Sequence, residues 1–276
     1  MSMLLQISKS PSDTVVAEGV FVHGLQGDLR KAWTNKNGSF WPTWLAEDNT
    51  ELAVWSVGYE AAVSGWSGTA TPLFDRANNV LAELQAAEIG NRPICWVTHS
   101  LGGLLVKQML RSSDTLASKF RAFSAATRCV VFTGTPNTGS DRAGSARHLG
   151  FFLRVSVAAK ELQALSSPLL ELNTWYRESH RRLRLTTQVF FENQATRGVR
   201  LVDRGTADPG LEGVIPVGVD ADHFSICKPL GRDDLIYQRT QACIPGVTAR
   251  SADENNSPAN QRRRRSSTRR AAESLA

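Results

Sequence analysis

The sequence has 276 residues, of which 41% are hydrophobic and 21% charged, with a net charge of +6. These proportions are ordinary for a globular protein that buries one sizeable core. No stretch approaches the ~18 apolar residues that a membrane-spanning helix needs, and the first residues lack the pattern of a secretory signal, so we expect neither.

The basic charge is concentrated at the C-terminal end. From Thr248 onward, seven arginines stand against three acidic residues and supply four of the six net positive charges. Apolar residues are sparse there, so we expect residues 1–247 to form the folded domain and residues 248–276 a disordered basic tail. The arginines between 262 and 270 are consistent with a solubilising end, a nuclear signal or a peripheral contact with an anionic membrane. The body shows no charge asymmetry that would indicate nucleic-acid binding.

The cysteines do not form a metal-binding pattern. None of the four is spaced as CxxC, and Cys95 and Cys129 lie within strand-like apolar runs. We therefore expect buried free thiols and a reducing, intracellular or cytoplasmic location. Phosphate loops, metal-ligand clusters and cofactor fingerprints are also missing from the sequence, so no metal and no cofactor are expected.

Apolar strand-like runs alternate with helical patterns along the body. The strand-like runs are 15–22, 52–57, 94–98, 128–133, 187–191, 199–202 and 213–217. Helical patterns follow at 72–84 and 101–111, and the stretch 144–185 is mostly helical, with breaks predicted near Pro168. This alternation predicts an α/β fold with a mostly parallel central sheet, helices on both faces, and a small helical cap at about 144–185.

One strand–turn–helix segment carries a candidate nucleophile. The apolar run 94–98 leads into His99, Ser100 and Leu101, and Gly102 and Gly103 then open a helix. A serine at such a turn is held in a strained backbone beside a helix N-terminus, whose free N–H groups stabilise a developing oxyanion. The familiar pattern is Gly-x-Ser-x-Gly, and Thr98 replaces its first glycine. With its flanking strand and helix, the segment predicts Ser100 as a nucleophile.

A nucleophilic serine needs a base, which follows it in the chain in this type of fold. Of the histidines after Ser100, His180 lies in a charged helical segment and His148 in the predicted cap. His223 follows the last strand-like run in a loop, where the base is expected. We therefore predict His223 as the base.

The carboxylate that orients the base is less sharply defined. Glu192 ends the strand-like run 187–191, where the acid usually emerges, whereas Asp203 ends the next run and Asp208 lies in its loop. Asp222 is adjacent to His223 in the sequence. Because the side chains of neighbouring residues in an extended loop point apart, Asp222 is a poor candidate for orienting the base. Glu192 is the favoured acid and Asp203 the runner-up, with Asp208 also open.

Five short segments of the body form an ordered set. They are FVHGLQGD (21–28) with Trp33, WVTHSLGGLLVK (96–107), GTPNTGS (134–140), FFE (190–192) and DHFSICKP (222–229). Together they resemble the serine-active-site-containing lipase-like family of the α/β-hydrolase superfamily, over roughly residues 20–230. The resemblance implies an α/β-hydrolase fold, lipase-like ester hydrolysis, and roles for Ser100, His223 and Glu192. One departure is Asn137, where a histidine is commoner.

Two backbone N–H groups are expected to form an oxyanion hole. One belongs to Leu101, directly after the nucleophile, and the other to Leu25, in the loop after the first strand-like run. His23 precedes this loop, and we expect it to brace the loop rather than to take part in catalysis.

These features predict a serine hydrolase that cleaves carboxylic esters, of lipid or acyl type, through an acyl-enzyme on Ser100. Apolar residues at 149–172 would suit an acyl chain, although they fit the core face of ordinary helices equally well. Two alternatives remain open at this stage. An acyltransferase would use the same residues with another acceptor, and a hydrolase-fold interaction module would bind partners without catalysis.

Overall fold

The structure, a computed structural model, describes residues 3–8, 14–24, 27–59, 73–115, 119–137, 159–198 and 200–244. The predicted basic tail, 248–276, and the first part of the predicted cap, 144–158, lie outside these residues. The tail and the domain boundary at 247 therefore stay predictions.

The described strands form one sheet of seven, in the order β1-β3-β2-β4-β5-β6-β7. The edge strand β1 runs antiparallel to β3, and the remaining neighbours pair in parallel. The strands are β1 (Met3–Gln6), β2 (Ala17–Val22), β3 (Leu52–Gly58), β4 (Ile94–His99), β5 (Thr127–Thr133), β6 (Thr186–Glu192) and β7 (Val217–Val219). This mostly parallel sheet confirms the predicted α/β fold.

Helices cover both faces of the sheet. Those described are α1 (Pro42–Asp48), α2 (Leu73–Ala86), α3 (Leu101–Thr115), α4 (Arg121–Ala126), α5 (Ala159–Arg182), α6 (Arg204–Ala207) and α7 (Leu235–Gln241). Along β2, Val20 and Val22 pack into the core shared with α2, α3 and α5, while Phe21 packs into the core shared with α1 and α7. Because both faces are covered, the central strands are buried along almost their whole length rather than at alternate residues. None of the described helices is both long enough and apolar enough to cross a membrane.

Three sequence expectations require correction. Residues 200–202 form a loop rather than a strand, because the N–H groups of Leu201 and Val202 donate to Glu192 instead of to a neighbouring strand. The last strand is Val217–Val219 rather than 213–217, since Pro216 has no N–H for a ladder and Ile215 is exposed.

The third correction concerns the helix break predicted near Pro168. Helix α5 runs unbroken through Pro168. After that proline, Leu172 and Tyr176 are buried, and burying one face of the helix outweighs the hydrogen bond that Pro168 cannot make. Tyr176 contacts Phe132 of β5, so this end of α5 packs against the sheet. The cap at about 144–185 stays a prediction.

The start of α3 lies against the end of β2, and this contact depends on Gly102. A Cβ atom at Gly102 would lie 2.3 Å from the Val22 carbonyl oxygen and 2.4 Å from that of His23. Both are backbone atoms, which cannot turn away as a side chain can. Glycine at this position therefore allows the helix to approach the sheet.

We expect Gly102→Ala to lower the free energy of unfolding by about 3 kcal/mol or more, the upper range for overpacking. A matched control is Gly205→Ala in α6, where the added Cβ would meet only the Asp203 carboxylate, at 3.6 Å. That variant should be neutral or slightly stabilising, because alanine favours helix. Urea denaturation of both variants checks this, and equal stability of the two would contradict the close contact.

Candidate active site

The carboxyl ends of the parallel strands bring the predicted site residues to one edge of the sheet. Gly24 follows β2, Ser100 follows β4, Gly134 follows β5, Glu192 ends β6, and His223 lies in the loop after β7. Ligands of open α/β sheets bind at this edge.

Ser100 occupies a strained turn between β4 and α3. Its φ is +53°, a left-handed conformation that is uncommon for residues other than glycine. The Ser100 N–H donates to the Thr133 carbonyl at 2.9 Å, and the Gly103 N–H donates to the Ser100 carbonyl at 3.1 Å. These bonds hold the turn and place the serine side chain at the apex between strand and helix.

Thr98 fits the turn despite replacing the expected glycine. Its hydroxyl donates to the Val131 carbonyl at 2.9 Å, and the Thr133 hydroxyl donates to the Thr98 carbonyl at 2.7 Å. The side chain is thus buried with its hydrogen bond satisfied, between β4 and β5. This explains why the departure from the pattern does not disturb the turn.

Ser100, His223 and Glu192 form a continuous hydrogen-bonded line. Glu192 Oε2 lies 2.9 Å from His223 Nδ1, and His223 Nε2 lies 3.1 Å from Ser100 Oγ. An ionised carboxylate only accepts hydrogen bonds, so Nδ1 carries the proton and Nε2 is free to accept from the serine hydroxyl. The side chains of His223 and Glu192 are 1% and 0% exposed, which shields these contacts from water. This is the geometry in which a histidine can remove the proton of a serine.

The buried Glu192 carboxylate has further partners. Its Oε1 accepts from the N–H groups of Leu201 and Val202, each at 2.6 Å. A buried carboxylate is stable only when hydrogen-bonded in this way. The loop after β6 therefore fixes the carboxylate that faces the imidazole.

The other candidate acids make different contacts. Asp203 caps α6 by accepting from the Thr206 N–H at 2.8 Å, and Asp208 accepts from the Gly210 N–H at 2.8 Å. Asp222 accepts from the N–H groups of Phe224 and Ser225 within its own turn. Of the candidates, Glu192 is the one placed against His223 Nδ1.

One of the two predicted oxyanion donors can be placed. Leu101 begins α3, where the first N–H groups have no carbonyl within the helix to bond. Leu25 lies outside the described residues. Its neighbour Gly24 lies directly against the nucleophile, because a Cβ at Gly24 would be 2.8 Å from Ser100 Cβ.

His23 braces the loop that contains Gly24. Its Nδ1 donates to the Gly24 carbonyl at 2.7 Å, and its ring stacks on Tyr59 with centroids 4.5 Å apart. The Gly27 N–H donates to the same Gly24 carbonyl at 3.2 Å. Burial lowers the pKa of His23, so the ring is neutral and Nδ1 keeps its proton.

Sequence reasoning missed several residues that hold His223. Thr196 Oγ1 accepts from the His223 N–H at 3.0 Å, and His99 Nε2 donates to the His223 carbonyl at 2.8 Å. Gly134, with φ +57°, leaves room for the imidazole, which a Cβ there would approach to 3.3 Å. His99 belongs to the nucleophile motif and was visible in it, whereas Thr196 carries no sequence signal.

Comparison with known proteins gives relatives across most of the chain. The chain is 31% identical to the protein named SERAC1 of Mus musculus and to that of Homo sapiens, over 268 residues and 88% of its length. It spans 40% of the length of those relatives. No family model matches the sequence. Membership of the lipase-like family therefore stays a prediction.

Solved structures agree with the fold. A carboxylesterase of Nitrososphaera gargenis is similar with a TM-score of 0.50 at 12% identity, over 92% of this chain and 96% of that one. A bacterial membrane phospholipase A is similar with a TM-score of 0.51 at 13% identity, over 89% and 83% of the two chains. At these identities the likeness supports the α/β-hydrolase fold alone.

We expect Glu192→Gln to lower the reactivity of Ser100 toward a fluorophosphonate probe by about 10³-fold or more, because an amide no longer holds the Nδ1–H tautomer of His223. The matched change Asp203→Asn, in the α6 cap, should leave labelling within about 3-fold, since asparagine also caps helices. Equal labelling rates for the two variants would contradict the assignment of the acid.

Proposed function

We propose that the protein is a serine hydrolase that cleaves carboxylic esters of lipid or acyl type through an acyl-enzyme on Ser100. The observation that carries the proposal is the buried hydrogen-bonded line from Ser100 through His223 to Glu192. The esterase-like fold is consistent with this chemistry, although folds of this kind host many activities.

In the proposed reaction, His223 Nε2 takes the hydroxyl proton while Ser100 Oγ attacks the ester carbonyl carbon. The tetrahedral intermediate collapses, the C–O bond to the alcohol breaks, and His223 returns the proton to the leaving alcohol. A water molecule then gives its proton to His223 and attacks the acyl-enzyme. The Ser100–acyl bond then breaks, His223 returns this proton to Ser100 Oγ, and the acid is released with the hydroxyl restored. Glu192 stabilises the imidazolium that forms twice in each cycle.

The proposed oxyanion donors are the N–H groups of Leu101 and Leu25. Support for the second comes from Gly24, whose carbonyl accepts from both His23 and Gly27 and is thereby fixed.

Apolar side chains beside the nucleophile support an acyl substrate. Leu101 and Leu104, in the first turn of α3, pack with Leu169 of α5. Leu170, the next residue of α5, is exposed. Leu101, Leu104 and Leu169 are themselves buried, so Leu170 is the accessible one of these four leucines. Each methylene of an acyl chain buried against it would contribute about 0.8 kcal/mol.

The purified full chain should hydrolyse p-nitrophenyl esters, and Ser100→Ala and His223→Ala should each lose about 10⁴-fold or more in kcat, because the three residues act as a unit. Measuring kcat/KM for p-nitrophenyl esters of increasing acyl length gives the preferred length of the acyl chain. The matched control is Ser113→Ala. Ser113 is also a buried serine of α3, and this variant should keep wild-type turnover.

Wild-type turnover in purified Ser100→Ala would overturn the proposal. A folded wild type that neither turns over any ester nor reacts with a fluorophosphonate would favour the interaction module. Transfer of the acyl group to an added alcohol in preference to water would favour the acyltransferase.

A further inference from the structure

His99, the residue before the nucleophile, contacts His223, the proposed base. Its Nε2 lies 2.8 Å from the His223 carbonyl oxygen, and the two rings are 5.0 Å apart at their centroids. The residue is 8% exposed, and it ends β4, the middle strand of the sheet, in which every residue is buried.

The protonation state of His99 follows from its partner. A carbonyl oxygen only accepts, so Nε2 must carry the proton and donate. Burial away from water lowers the pKa of His99 well below its ordinary value, and a positive charge on His223 lowers it further. The ring is therefore a neutral donor with a fixed tautomer.

This contact completes the support of the His223 backbone. The N–H of His223 donates to Thr196, and its carbonyl accepts from His99. His99 and Ser100 are consecutive residues of one turn. The same short segment therefore carries the N–H that bonds the His223 carbonyl and the hydroxyl that His223 Nε2 contacts. A shift of the turn would carry both together.

We propose that His99 is a positioning residue, which fixes the base to the nucleophile turn and so sets the distance between His223 Nε2 and Ser100 Oγ. The proposal rests on the proposed function in assigning His223 as the base. Its structural part, that His99 determines where the imidazole lies, can be measured without an ester.

The test compares two substitutions of His99. His99→Phe keeps a flat ring but removes the donor, whereas His99→Gln places an amide N–H near the position of Nε2. We expect His99→Phe to lower kcat by about 10²-fold, the effect of a misplacement of ~1 Å, with KM changed by less than about 3-fold. His99→Gln should restore kcat to within about 5-fold of wild type, since it restores the hydrogen bond.

The same two changes at His180 are the matched control. His180 lies half-buried on α5, where its ring contacts Tyr176. Neither His180→Phe nor His180→Gln should change kcat by more than about 2-fold, since this residue lies outside the hydrogen-bonded line.

Two further measurements separate this proposal from the proposed function. One is the rate at which Ser100 reacts with a fluorophosphonate, and the other is the NMR resonance of the His223 Nδ1 proton, which reports its bond to Glu192. If no ester is turned over, a loss of both signals in His99→Phe and their return in His99→Gln would still support the proposal. The proposal is overturned if folded His99→Phe keeps the wild-type labelling rate and resonance, or if His99→Gln is as impaired as His99→Phe.

Discussion

The arrangement of the site depends on a carboxylate that has no contact with water. Removing a charge from water costs several kcal/mol unless hydrogen bonds replace the lost hydration. Glu192 is 0% exposed, and its oxygens accept from Leu201, Val202 and the imidazole of His223. The need to satisfy this group shapes the loop after β6, and the loop in turn holds the carboxylate in line with His223. Changing the acid therefore disturbs both the loop and the base.

A second constraint lies at the nucleophile turn. A left-handed φ at a residue other than glycine costs roughly 1–3 kcal/mol and persists only where the surrounding structure imposes it. Around Ser100, the bond to Thr133 of β5 and the contact of Gly102 with the β2 backbone impose it. The strained turn is thus stabilised by the central part of the sheet, and it presents the serine, the helix N-terminus and His99 as one rigid unit.

Local pattern and motif order were enough to predict the parallel α/β fold and to select Ser100, His223 and Glu192, which the structure brings together. The errors occur where long-range contacts decide. Residues 200–202 have the composition of a strand, but their N–H groups are used by a carboxylate about ten residues earlier in the chain. Pro168 ends helices locally, yet packing of the following residues continues α5. The edge strand β1 has only four residues, too few for a periodic pattern, and it is defined by its pairing with β3. The role of Thr196 likewise depends on a contact 27 residues away.

Three of the described histidines lie close together at this edge of the sheet, and their surroundings give them different protonation behaviour. His23 and His99 are buried, their pKa values are lowered, and each donates one proton to a carbonyl. His223 instead faces a carboxylate on one side and a hydroxyl on the other, which is the setting of a base that gains and loses a proton. Two positive charges at the 5.0 Å separation of the His99 and His223 rings would repel by about 3 kcal/mol at an effective dielectric constant of about 20. Keeping His99 neutral removes that repulsion at the moment when the imidazolium of His223 would form. The low pKa of His99 therefore serves the same end as its hydrogen bond, because both stabilise His223 in the position and charge state that the proposed reaction requires.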